Sequence, residues 1–168
     1  MKRIQTQTLL RLAMLLALEV ILSRFLSIST PLVKIGLAFI PIAICAMLYG
    51  PLWAGVLGAL GDFLGATLFP IGPFFPGFTL SAFLTGLVFG LCLSKRQGWG
   101  RILLAAAINC MGISLFLGAL WLHMLGGTPY VTLLPLRFLQ SCILFPIQSV
   151  VLYLLSRQSA FSSAARPG

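Results

Sequence analysis

Six stretches of this chain are apolar for close to the length that crosses a lipid bilayer, and no other feature limits the fold as tightly. They run at roughly 7–26, 35–49, 51–69, 78–94, 101–122 and 134–156. A backbone in hydrocarbon must satisfy its own hydrogen bonds, so runs of this length fold as helices. The expected fold is therefore an all-α membrane protein, a compact bundle of six transmembrane helices. Residues 1–168 would form a single integral-membrane domain, with 158–168 as a flexible cytoplasmic tail. With 60% hydrophobic and 8% charged residues, no tract is polar enough for a separate soluble domain.

The eleven Lys and Arg against two acidic residues suggest nucleic acid at first sight. Their placement argues for topology instead. Lys2, Arg3, Arg11, Lys95, Arg96, Arg101, Arg157 and Arg166 all fall on one side if six helices alternate in direction. The positive-inside bias makes that side cytoplasmic, with both termini inside. The apolar N-terminal run is then a first anchor rather than a cleaved signal, because five further spans follow it. Cys45, Cys92, Cys110 and Cys142 stand singly within spans, without metal-ligand spacing, and read as small packing residues.

Punctuation and small residues organise the spans. Tyr49-Gly50-Pro51 ends one helix and starts the next, which makes the second and third spans antiparallel neighbours. Gly55, Gly58 and Gly65 recur along span three, and Gly86 with Gly90 forms a GxxxG pair in span four, as close helix packing requires. Trp53 and Trp99 fall near the inner boundary and Trp121 and Tyr130 near the outer one, as an aromatic belt does.

The residues that topology leaves unexplained are the informative ones. Arg24, Lys34 and Arg137 converge on the disfavoured outer side from three separate segments, an arrangement suited to an anionic ligand. Arg24 lies seven residues after Ala17 and so falls on the same helix face, away from a cavity unless the helix breaks near "SRFLSIST". Glu19 points away from that face, toward the bundle interior. Arg137, Ser141, Leu144 and Gln148, with Gln140 adjacent, repeat at three- and four-residue spacing along span six and should line protein or a cavity. Asn109 in span five is either an interhelical hydrogen-bond partner or a cavity residue.

Asp62 is the sharpest anomaly, a carboxylate about seven residues, or ~10 Å, below the outer end of span three. At that depth it needs either a protein cation such as Arg137 or a ligand presenting hydrogen-bond donors. The loop beyond it, "FPIGPFFPGF", is uncharged and aromatic.

Over "GDFLGATLFPIGPFFPGFTLSAFLTGLVFGL", together with "AMLLA", "LSRFLSISTPLVKIGLAFIPIAICAMLYGP" and "LPLRFLQSCILFPIQ", the chain resembles the substrate-binding S components of energy-coupling factor (ECF) transporters, specifically the folate-specific ones. The resemblance covers essentially the whole chain, and the FFPGFTLSAFLTG string is its most specific part. It implies a vitamin-binding subunit of a bacterial cell membrane, without ATPase activity or a cofactor of its own. Such a subunit works with a transmembrane coupling subunit and two cytoplasmic ATPases and topples to deliver its substrate. Ala13 and Ala17, the AxxxA face, would pack against the coupling subunit. Folate fits the charges: Arg24, Lys34 and Arg137 suit its glutamate tail, Asp62 the pterin edge, and Phe74, Phe75 and Phe78 stacking or closure of the mouth. Asn109 and Gln140 complete the candidate binding set.

Other vitamins, such as pantothenate, riboflavin or thiamine, are the nearest alternatives. An intramembrane enzyme finds little support, since His123 is the only histidine and no Gly-x-Ser-x-Gly elbow or phosphate-cradling loop is present. A ligand-free assembly subunit leaves Asp62 and the outer cations unexplained.

Overall fold

A computed structural model describes residues 6–25, 27–29, 34–70, 74–94, 98–127 and 129–157, with the side chains at 28, 29, 34, 35 and 130 outside that description. The helices are α1 (Thr6–Arg24), α2 (Phe39–Tyr49), α3 (Pro51–Leu68), α4 (Pro76–Leu93), α5 (Trp99–Gly126) and α6 (Tyr130–Arg157). Between α1 and α2 lies a two-stranded antiparallel ribbon, β1 (Ile28–Ser29) and β2 (Lys34–Ile35), pairing Ile28 with Ile35 and Ser29 with Lys34. Five helices are long and apolar enough to cross a membrane, and α2 is an apolar helix of 11 residues. The termini at 1–5 and 158–168, and the cations Lys95 and Arg96, lie outside the described residues.

The bundle of antiparallel neighbours agrees with the reading of the sequence, with one change in span two. Its helix begins at Phe39 rather than near residue 35, because Lys34 and Ile35 pair with β1. Gly36 follows at once, so close to Ser27 that a Cβ there would sit 2.6 Å from the serine Cβ. Pro41 is compatible with the first turn of α2, where N–H groups lack intrahelical partners.

Gly50 makes the reversal between α2 and α3. Its φ of 90° lies in the region open to glycine, its N–H bonds to Ala46 O at 3.2 Å, and Pro51 begins α3. From there α3 and α4 run in close backbone contact. Gly58 abuts the Ala82 carbonyl, Gly86 the backbone at Ala54, and Gly90 Pro51, so a methyl group at any of the three would collide with main chain.

The two ends of the bundle differ in chemistry. The apolar core gathers toward the Gly50 end, with Ile42, Ala43, Cys45, Ala46 and Met47 of α2 against Ala54, Leu57, Phe89, Leu93, Ile102, Ala105 and Leu152. At that boundary Trp99 meets Tyr153 edge-on at 4.4 Å, and the Arg157 guanidinium lies 5.4 Å from the Tyr153 ring centre. Toward the opposite end the interior turns polar: Ser23, Asn109, Arg137, Gln140 and Ser141 are buried.

Candidate functional site

At the polar end, α3 presents glycines where α1 presents charges. Glu19, buried at 3% exposure, lies in the notch at Gly61, and the Arg24 guanidinium lies over Gly65, with Nε 2.7 Å from where a Cβ would be. The inward orientation expected for Glu19 is thus observed. Arg24 also turns inward, against the expectation from its alignment with Ala17, which is exposed. The difference has a plain cause: α1 ends at Arg24, and a long side chain on its last residue reaches over a position that has no Cβ.

Asp62 takes its charge partner from α1. Its Oδ1 lies 4.0 Å from Arg24 Nη2, and its Oδ2 accepts a 3.0 Å hydrogen bond from Thr79 Oγ1 of α4. Among the described residues, this is the ion pair that involves Asp62, and Arg137 is not part of it. Both side chains are largely buried, at 11% exposure for Arg24 and 21% for Asp62. Contact at 4.0 Å is long for a charge-assisted hydrogen bond, so the carboxylate retains capacity for another donor.

Arg137 stands elsewhere in the polar half. It is buried on α6 over Gly118 of α5, with Nη1 2.8 Å from that glycine's missing Cβ. Among the described residues its Nε has no hydrogen-bond partner, and neither has Arg24 Nε. Two buried guanidiniums with unused donors are costly in apolar surroundings and suit the recognition of an anionic or acceptor-rich ligand. Gln140 is buried one turn further along α6. Lys34 contributes its backbone to β2, and its side chain is outside the description.

The aromatic residues build one side of this end. Phe74 meets Phe63 edge-on at 5.8 Å, Phe75 lies 6.2 Å from Phe78, and Phe75 also contacts Trp121 at 5.6 Å. Trp121 donates its indole N–H to Ser81 Oγ at 2.9 Å, and its ring, like that of Phe75, lies close against Gly77. Residues 71–73 of the Pro- and Gly-rich loop lie outside the described residues.

Deeper in the bundle, Asn109 belongs to a chain of interhelical hydrogen bonds. Thr85 Oγ1 donates to Asn109 Oδ1 at 2.8 Å, and Asn109 Nδ2 donates to Gln148 Oε1 at 3.2 Å. The expected polar face of α6 is inward as anticipated, with Arg137, Ser141, Leu144 and Gln148 all buried. Thr79, Ser81 and Thr85 were not singled out from the sequence. Their signal was a hydroxyl-bearing spacing within the string already noted as unusual, but isolated Ser and Thr in membrane helices commonly bond their own backbone, as Thr85 also does to Ser81 O.

A separate apolar groove of about 210 Å³ runs between α1 and α3, lined by Leu9, Leu12, Ala13, Leu16, Trp53, Val56, Leu57 and Leu60. It lacks the polar groups of the Asp62 cluster. Ala13 opens onto it, and both Ala13 and Ala17 are exposed rather than packed within the bundle.

Comparison with known proteins bears on the whole of this arrangement. Residues 7–156 match the family described as ECF transporter, substrate-specific component. The chain is 40% identical over 150 residues to the folate transporter FolT of Clostridium novyi (strain NT), covering 89% of this chain and 87% of that one. It is 30% identical over 171 residues to FolT of Leuconostoc mesenteroides subsp. mesenteroides, covering 98% and 92%. Among solved structures, it superposes on FolT bound with folic acid with a TM-score of 0.88 and 35% identity, over 94% of this chain and 98% of that one.

Proposed function

This chain belongs to the family of substrate-specific components of ECF transporters, and from that premise we propose that it is the folate-binding subunit of such a transporter. One observation carries the reading above the others: the likeness to a folic-acid-bound FolT extends over 94% of the chain at 35% identity. The polar end supplies chemistry that suits the ligand. Folate is a flat heterocycle with adjacent N–H donors at one end and two carboxylates at the other. A carboxylate recognises the first and guanidinium groups the second.

The 4.0 Å separation of Arg24 from Asp62 supports one division of the ligand over the others. Arg24 and Asp62 lie 4.0 Å apart, so they cannot serve opposite ends of an extended folate. Asp62, oriented by Thr79, takes the pterin edge, and Arg24 stands beside it. Arg137 and Lys34 are left for the glutamate tail, with Gln140 and Asn109, both buried, as further polar groups of α6 and α5 for the ligand. Phe74, Phe75 and Phe78, joined by Trp121, supply the apolar surface that a heterocycle buries.

Transport needs partners, because an S component supplies binding rather than ATP hydrolysis. A transmembrane coupling subunit and two cytoplasmic ATPases would complete the importer, with both termini of this chain cytoplasmic and the polar end facing outward before the subunit topples. The exposed Ala13 and Ala17 and the adjoining apolar groove support docking of the coupling subunit on α1, where small side chains permit close helix approach.

The decisive measurement is equilibrium binding of labelled folate to the purified protein in detergent and in liposomes, with pantothenate, riboflavin and thiamine as competitors. Submicromolar folate binding that the other vitamins do not displace is the expected result. Displacement by one of them, or no folate binding in either environment, overturns the assignment.

A further inference from the structure

The fifth helix is not wound uniformly. From Trp99 to Ala107 it is α-helical, from Ile108 to Leu117 it is π-helical, and from Gly118 it is α-helical again. A π stretch of 10 residues is unusual, since such winding commonly occurs as a single-turn bulge.

Burial along α5 shows what this winding does. Ala105, Asn109, Ile113 and Gly118 are buried, and so are Ala106, Cys110, Leu115 and Ala119 beside them, whereas Leu104, Ile108, Met111, Phe116 and Leu120 are exposed. The inward positions thus recur every four or five residues. A regular α-helix advances about 100° per residue, which would carry Gly118 about 220° around the axis from Ala105. Gly118 would then face lipid. The wider π winding keeps it, and Trp121 after it, on the inner face.

Side chains of two helices bond to this segment: Thr85 of α4 donates to Asn109 Oδ1 at 2.8 Å, and the remaining bonds come from α6. Ser141 Oγ donates to the carbonyl of Cys110 at 3.0 Å. Gln148 Oε1 accepts at 3.2 Å from both Asn109 Nδ2 and Cys110 Sγ. Asn109 and Cys110 are consecutive, so in an α-helix they would diverge by about 100°, yet both side chains reach the same amide oxygen.

We propose that Ser141 and Gln148 are positioning residues: by fixing the π register of α5 at Asn109 and Cys110, they place Gly118 beneath Arg137 and Trp121 against Ser81 at the ligand-binding end. The consequence is geometric. Arg137 has room for its guanidinium because the residue facing it is glycine, and a rotated α5 would put a different residue there. Trp121 reaches Ser81 at 2.9 Å and Phe75 at 5.6 Å for the same reason. Neither Ser141 nor Gln148 needs to touch the ligand. The role in binding rests on the folate reading above, whereas the control of register does not.

The test uses the full chain with Trp53→Phe and Trp99→Phe, leaving Trp121 as the sole indole reporter. In that background Ser141→Ala, Gln148→Leu and Gln148→Glu are compared for Trp121 emission, folate affinity and thermal midpoint. Gln148→Leu, which removes the shared acceptor, is expected to shift Trp121 emission and weaken folate about tenfold. Ser141→Ala acts in the same direction. Gln148→Glu keeps a side-chain oxygen as acceptor and restores both readouts. Unchanged emission in Ser141→Ala and Gln148→Leu overturns the register role. Shifted emission with unaltered affinity overturns the positioning role, as does weakened affinity without a shift. If the parent protein itself does not bind folate, the vitamin assignment fails, and the emission of the three variants still decides whether α6 sets the register.

Discussion

At Asp62 the two carboxylate oxygens are held unequally: Oδ2 accepts a 3.0 Å hydrogen bond from Thr79, and Oδ1 lies 4.0 Å from Arg24. The stronger contact orients the group, and the looser one leaves an oxygen that a ligand can engage. Asp62→Asn removes the charge and turns one acceptor into a donor. Folate affinity is expected to fall by about 10- to 100-fold, the loss of a charge-assisted hydrogen bond of about 1.5–3 kcal/mol. The thermal midpoint without ligand should stay close to wild type. Thr79→Val should weaken folate about fivefold, because it costs orientation while leaving the carboxylate in place, a loss of about 1 kcal/mol. Isothermal titration and thermal denaturation of both variants check the two outcomes, and a large loss of stability with unchanged affinity would mark Asp62 as structural. The oddity of Asp62 was visible in the sequence because a carboxylate inside an apolar run is costly. Its cation was not. Helical alignment put Arg24 with Ala17, and periodicity does not register how far an arginine at a helix end reaches across a glycine.

Among the elements, helix boundaries were the most legible part of the fold, since Gly and Pro mark them directly. The third span, read at 51–69, is observed at Pro51–Leu68. The second begins at Phe39 rather than at residue 35, because Ile35 pairs in a short ribbon although it is as apolar as a helix residue. The π segment has no legible signature: apart from Asn109 its inner and outer faces are both apolar, so the four- and five-residue recurrence of the inner face has little contrast. On α1, the exposed face of Ala13 and Ala17 yields a prediction of its own. Replacing both with Leu is expected to leave folate binding within about twofold, since neither lies in the Asp62 cluster, while abolishing uptake by disrupting close helix approach. Binding to the purified subunit, beside uptake by cells carrying the coupling module, separates these effects. Equal loss of both would place Ala13 and Ala17 in the fold of the subunit itself.

For the molecule as a whole, the division into an apolar end and a polar end follows from where each helix carries its unusual residues. Antiparallel alternation brings the last turns of α1, α3 and α5 beside the first turns of α2, α4 and α6, so polar groups far apart in sequence share one end. That grouping could be anticipated from span order alone. Which side chains meet could not, because it depends on rotations about helix axes. The seating of Glu19 at Gly61 and Arg24 at Gly65 also has a bearing on biogenesis. A charged side chain costs about 2.5–3.5 kcal/mol at the centre of an inserting helix and less toward its end, and α1 carries Glu19 within it and Arg24 at its last residue before any glycine notch exists to receive them. Residues 1–30 alone should therefore insert into membranes inefficiently, and extension through residue 70 should raise insertion several-fold, as glycosylation-site reporters would measure. Efficient insertion of the short segment would rule this out. Helix α1 would otherwise settle only after α3 has emerged, although it precedes α3 in the chain.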